Sequence, residues 1–212
     1  RPNGRSDPVG PFGNPDGSRA PIERVLHDFV DFRGAPAFGA LAARADDATS
    51  RVIVGRLGAG KTVYLRRLRS FQAQQESVYA DQPQQDPPST ETIVKACQWF
   101  PEQFLTEKWM QIWKRAVLNS LATHVLAHRE LRHYVSQEQA ESIRYEYGFL
   151  VGEFRRPRSI YAELTSIVNG QNSGRQLTAY LDDPAWEDLE DVLAEILRTC
   201  PPIFFYLDAV DE

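Results

Sequence analysis

Apolar residues recur at three- and four-residue steps through most of the middle of the chain. Leu105, Trp109, Ile112, Trp113, Ala116, Val117 and Leu121 trace one face, with Ser120 on it, and predict a long amphipathic helix over about 101–131. Ser136 followed by residues 138–149, and residues 159–168, predict two more helices. Asp183 as N-cap and Pro184 at the first helical position open another, whose inner face is Trp186, Leu189, Leu193, Ile196 and Leu197. Pro201 and Pro202 stop it. Nearer the start, Ile22, Val25, Leu26 and Phe29 predict a helix over 21–32, and Phe38, Leu41 and Ala42 a shorter one after Pro36.

Two segments break this rhythm. Ser50-Arg51-Val52-Ile53-Val54, which ends at Gly55, and Ile203-Phe204-Phe205-Tyr206-Leu207, which follows Pro202, are short apolar runs of the kind buried parallel strands show. The first is followed by a glycine-rich turn and a helical spacing over 62–71 through Val63, Leu65 and Leu68. Strand, glycine loop and helix make the start of a βαβ unit. A further short strand is predicted near 77–80, before the Gln- and Pro-rich connection at 81–90. Residues 1–20 hold four Pro and four Gly with scarcely an apolar pair, which predicts a flexible tail or linker. No internal repeat is present.

The glycine turn carries chemistry. Gly55-Arg56-Leu57-Gly58-Ala59-Gly60-Lys61-Thr62 is a complete G-x-x-x-x-G-K-[ST], set between a predicted strand and a predicted helix. Glycines let consecutive backbone N–H groups converge on phosphate oxygens, and the following helix adds the positive end of its dipole. Lys61 is expected to reach the β- and γ-phosphates, and the Thr62 hydroxyl to ligate Mg²⁺. The second apolar run delivers Asp208 at its carboxyl end, where it can hold the phosphate-bound metal. Asp211 and Glu212 supply carboxylates able to orient or deprotonate an attacking water. The candidate site is therefore residues 55–62 for nucleotide, Thr62 and Asp208 for metal, and Lys61, Asp211 and Glu212 for catalysis, with ATP and Mg²⁺ as ligands.

Leu207-Asp208-Ala209-Val210-Asp211-Glu212, taken with the glycine loop, resembles the Walker B of NACHT-type ATPases, members of the STAND class of signal-transducing P-loop NTPases. The resemblance implies an α/β fold: a P-loop NTPase core whose parallel sheet is flanked by helices. It also implies nucleotide binding and hydrolysis, a nucleotide-controlled switch and regulated self-association, with bacterial antiviral defence as a loose suggestion. Lys61 and Asp208 are 147 positions apart, longer than the compact core of that class, which predicts a helical insertion over roughly 101–170. KAP-type ATPases are a weaker resemblance, since D-D-x-D-R is absent. Two other functions compete: a nucleic-acid-associated AAA+ ATPase of the origin-recognition or helicase-loader kind, and a nucleotide-stabilised structural module without turnover.

Composition narrows the class further. The 212 residues are 42% hydrophobic and 25% charged, ordinary values for a globular chain. Net charge is −5, but residues 182–212 hold ten acids against Arg198 alone, leaving residues 1–181 at +4. That excess is too small to imply nucleic-acid binding by field alone. Cys97 and Cys200 are too few and too far apart for a disulfide scaffold, and no apolar run reaches the ~20 residues of a membrane helix. A cytoplasmic protein with no membrane partner is expected. The chain opens on Arg1 rather than Met, as a segment cut from a longer protein is expected to, and it stops at Glu212, so residues 21–212 are expected to be an incomplete ATPase domain truncated after the Walker B strand, lacking its sensor strand and arginine finger. His124, His128 and His133 have a spacing that can hold zinc, but no further ligand completes the set, so they read as ordinary surface or half-buried histidines. Arg66, Arg67 and Arg69, and Arg155, Arg156 and Arg158, read as solvated faces, and Trp109 and Trp113 as core.

Overall fold

The structure is a computed structural model, and it describes residues 53, 60–74, 79–82, 84, 86–152 and 154–208. The expected helices at 21–32 and after Pro36, and the expected strand at 50–54 apart from Ile53, lie outside the described residues. The chain divides into two compact units, Arg1–Pro83 with Phe204–Asp208, and Gln84–Ile203 with Ala209–Glu212.

In the first unit helix α1 spans Lys61–Gln72, and strands β1 (Tyr79–Ala80) and β2 (Ile203–Phe204) pair in parallel. The Asp81 amide extends the pairing by donating to the Phe204 carbonyl at 3.0 Å. Leu68 of α1, Ala80 and Tyr206 form a small core, with Tyr64, Leu65 and Phe204 packed against it. Arg69 donates from Nε to the Ala80 carbonyl at 3.4 Å, so this arginine joins helix to strand rather than facing solvent alone.

The second unit is helical: α2 (Thr90–Trp99), α3 (Glu102–Ala127), a 3₁₀ turn (Arg132–Tyr134), α4 (Gln137–Tyr145), α5 (Gly148–Val151), α6 (Ile160–Asn169), α7 (Gly174–Leu181) and α8 (Ala185–Thr199). Serine caps open four of them. Ser89, Ser136, Ser159 and Ser173 each accept from the backbone amide three residues on, and Gln139 closes a capping box by accepting from the Ser136 amide at 3.0 Å. Helix α3 is the axis. Its first half is buried on one side, but every residue from Leu118 to Leu126 is buried, as expected of a helix surrounded by neighbours. Against it pack α6, whose Tyr161 meets Trp113 edge to face at 6.1 Å, and α8, whose Trp186, Leu189, Leu193 and Ile196 are buried.

Two helix ends are closed by a cation that also covers a tryptophan. Lys95 Nζ donates to the Val168 and Gln171 carbonyls at 3.3 and 3.2 Å, at the C-terminal end of α6, and sits 4.8 Å from the Trp99 ring centre. Arg115 donates to the Leu181 carbonyl from Nε at 3.3 Å and from a terminal nitrogen at 3.0 Å, at the end of α7, with its guanidinium 4.9 Å over Trp186. Both use the negative end of the helix dipole and the face of an aromatic ring.

The expected α/β class is corrected. Helices make up 68% of the described residues and their sheet has two strands of two residues each, so a P-loop NTPase core built on a parallel sheet is not what these residues form. In the apolar run at 203–207 Ile203–Phe204 form the strand and Leu207 makes a single further bridge; its Phe204 and Tyr206 side chains pack in the small core under α1. Smaller expectations also shift. Helix α3 ends at Ala127 rather than near 131, because His128 turns extended and Leu131 folds back into the core fully buried. The helix expected over 138–149 is two, α4 and α5, interrupted at Glu146 and Tyr147. Leu197, placed on the inner face of α8, is 41% exposed.

Candidate functional site

Gly60 stands in the left-handed region, φ +78°, and α1 starts at the next residue, Lys61. Only glycine takes that backbone at little cost, which is why the loop must end on Gly60 for the chain to turn into the helix there. Gly60, at the N-cap position, has no side chain with which to cap the start of α1, and the first turn carries no acid. Lys61 and Thr62 are its first two residues, so an ammonium, a hydroxyl and the positive end of the helix dipole share one helix end. A Cβ built on Gly60 would meet nothing within 4 Å, so it is the backbone conformation and not crowding that excludes other residues there. These residues fit an anionic group of phosphate type. Gly55, Arg56, Leu57, Gly58 and Ala59 lie outside the described residues.

Asp208 belongs to the same unit, four residues beyond Phe204 of β2, and is 8% exposed. Tyr206, two residues before it, is buried with its hydroxyl lacking a hydrogen-bond partner, and burial pushes its phenol well above the usual range, only partly opposed by Arg69. Gln72, at the far end of α1, is also buried. Asp211 and Glu212 lie outside the described residues. The unit thus brings Gly60, Lys61, Thr62 and Asp208 into one small fold.

The lesser candidates separate. His124 is buried on α3 and donates from Nδ1 to the Ser120 carbonyl at 2.7 Å; His128 Nδ1 accepts from the Glu130 amide at 3.3 Å. Among the described residues no group of His, Cys, Asp and Glu is arranged to hold a metal. Trp109 and Trp113 are half-buried rather than core. With Leu105, Thr106 and Met110, itself 68% exposed, they line a shallow groove of about 580 Å³ on the first half of α3. Arg155 and Arg156 are exposed, but Arg158 is held: its Nε lies 3.0 Å from Glu163 Oε1.

A polar cluster that the sequence did not announce lies in the helical unit. Glu163 on α6 is 1% exposed, and Asn119 on α3 points its Nδ2 at Glu163 Oε2 (3.4 Å), the Leu150 carbonyl (3.3 Å) and the Tyr180 hydroxyl (3.3 Å). Tyr180 donates to the same Leu150 carbonyl at 2.8 Å, and burial pushes its phenol up to about 12. Burial likewise raises the Glu163 carboxyl above its ordinary range, against the opposing pull of Arg158 and Asn119. In sequence these are isolated polar residues on apolar helices, and no spacing marks them as neighbours.

No protein-family model matches the chain, and no curated protein or solved structure matches it. Among the described residues no helix is long and apolar enough to cross a membrane.

Proposed function

We propose that this protein binds ATP with Mg²⁺ through residues 55–62, hydrolyses it, and uses the bound state as a signalling switch that self-associates. The observation that carries the reading is the complete phosphate-loop motif whose last glycine, Gly60, is left-handed and leads directly into α1. Backbone N–H groups of the loop hold the phosphates, and Lys61 sets its charge against the β- and γ-oxygens. Thr62 and Asp208 hold the metal. Mg²⁺, when bound, neutralises charge that builds on those oxygens. Asp211 or Glu212 orients the attacking water and takes its proton.

The test is titration of a fluorescent ATP analogue, with and without Mg²⁺, into the wild type, Lys61→Ala and Asp208→Asn. Loss of a charge-assisted phosphate contact costs ~1.5–3 kcal/mol, so Lys61→Ala is expected to weaken binding about tenfold or more. Asp208→Asn is expected to remove the Mg²⁺-dependent part of the affinity. Equal dissociation constants for wild type and Lys61→Ala overturn the assignment.

A further inference from the structure

The buried cluster around Glu163 is short of hydrogen-bond donors. Asn119 Nδ2 has two hydrogens for three acceptors, the Leu150 carbonyl, Glu163 Oε2 and the Tyr180 hydroxyl, and Tyr180 spends its own proton on Leu150. Asn119 Oδ1 and Glu163 Oε1 are both buried without a hydrogen bond; the Arg158 Nε lies 3.0 Å from Oε1 but only as a charge partner. Unsatisfied buried acceptors are costly, and one added donor would relieve the deficit. The backbone of Arg158 is secured separately, its amide donating to Thr123 Oγ1 at 3.0 Å and its carbonyl accepting from Ser120 Oγ at 2.7 Å. The guanidinium alone is therefore able to swing.

We propose that Glu163 and Arg158 form a proton-linked latch on the arginine segment 155–158. When a proton from solvent occupies the Glu163 carboxyl, the carboxyl no longer carries the charge that holds Arg158, and the guanidinium is released beside the exposed Arg155 and Arg156. When the proton leaves, the carboxylate draws Arg158 back, and the segment shows one cation fewer to solvent. Burial of the carboxyl favours the protonated state and so supports the direction of the linkage. Three ionisable groups on the packed helices have their own bonds: Lys95 of α2 to Val168 and Gln171, Arg115 of α3 to Leu181, and His124 of α3 to Ser120.

The full chain, labelled with ¹³C and ¹⁵N, tests this by following two resonances across pH 4 to 8: the Glu163 side-chain carboxyl carbon and the Arg158 Nε. The carboxyl is expected to titrate above the ordinary carboxylate range, and Arg158 Nε to move with the same midpoint. In Glu163→Gln the Arg158 signal is expected to stay at its low-pH position throughout. Should that variant fail to fold, the two wild-type titrations, assigned through bonds, still decide. A Glu163 midpoint at or below the ordinary range, or an Arg158 signal indifferent to pH, overturns the latch.

Discussion

Gly174 is the first residue of α7, and Gly148 the first of α5, so the same substitution to alanine sets local propensity against packing at two matched positions. Propensity alone makes both changes favourable, by up to ~1 kcal/mol, through the narrower conformational freedom of alanine in the unfolded chain. Packing separates them. A Cβ on Gly148 would sit 3.8 Å from Phe154, an ordinary contact, whereas one on Gly174 would sit 2.9 Å from both the Cβ and the carbonyl oxygen of Trp99. Relief at Gly174 requires the end of α2 to retreat by about half an ångström, since contacts this close are repulsive and ~3.5 Å is the comfortable separation. Trp99 is not free to retreat, because its ring is covered by Lys95, which is itself bound to two carbonyls at the end of α6. Overpacking of this kind costs ~1–3 kcal/mol, so after the propensity gain Gly174→Ala is expected to destabilise by about 1–2 kcal/mol. For a chain of this length that lowers Tm by roughly 2–8 °C. Gly148→Ala is expected to be neutral or slightly stabilising. Urea unfolding read by tryptophan fluorescence and thermal unfolding read by circular dichroism measure both. A Gly174→Ala protein as stable as Gly148→Ala refutes the close approach of α7 to α2.

Arg115→Ala removes a charged donor from the Leu181 carbonyl and a cation from the face of Trp186, and is expected to cost about 1.5–3 kcal/mol in urea unfolding, with Arg115→Lys recovering only part. Leu193→Ala, at a site 1% exposed, is expected to cost ~2–5 kcal/mol, while Leu197→Ala, four residues on but 41% exposed, stays within about 1 kcal/mol of wild type; similar losses contradict the facing of α8. Glu163 has a folded-state pKa raised above the ordinary 4.5, so the folded protein binds its proton more tightly than the unfolded chain. Its contribution is complete below that value and is lost as pH rises through the folded one; unfolding free energies of Glu163→Gln are expected to lack this decline, and parallel pH profiles for the two proteins would contradict it. In the nucleotide site Glu212→Gln or Asp211→Asn is expected to spare ATP binding and lower turnover, as measured by phosphate release, and unchanged turnover in both removes these acids from catalysis.

What the sequence determined by itself was local. The glycine loop is legible because the turn from Gly60 into α1 needs a particular residue type, and that requirement is written in the residues themselves. The helices α3, α6 and α8 are legible because each repeats an apolar stripe, and Trp186, Leu189, Leu193 and Ile196 occupy the buried positions that stripe assigns. Helices α2 and α7 are short, 10 and 8 residues: α2 buries Thr92 and Ala96, α7 buries Leu177 and Leu181, and a serine cap opens each. The class of fold is not legible for a related reason. A short apolar run reads the same whether it enters a broad sheet or, like Ile203–Phe204, pairs with one strand and spends its other side chains on a helix. Only tertiary structure decided that Asn119, Tyr180, Arg158 and Glu163 meet in one buried cluster, since they come from three separate segments, Arg158 and Glu163 sharing one, and hydrogen bonding between distant segments leaves no periodicity in a chain. It also decided that Leu197 faces outward beside buried Ile196, because the width of a buried face is set by the helices packed against it and not by the hydrophobicity of the residues that could join it.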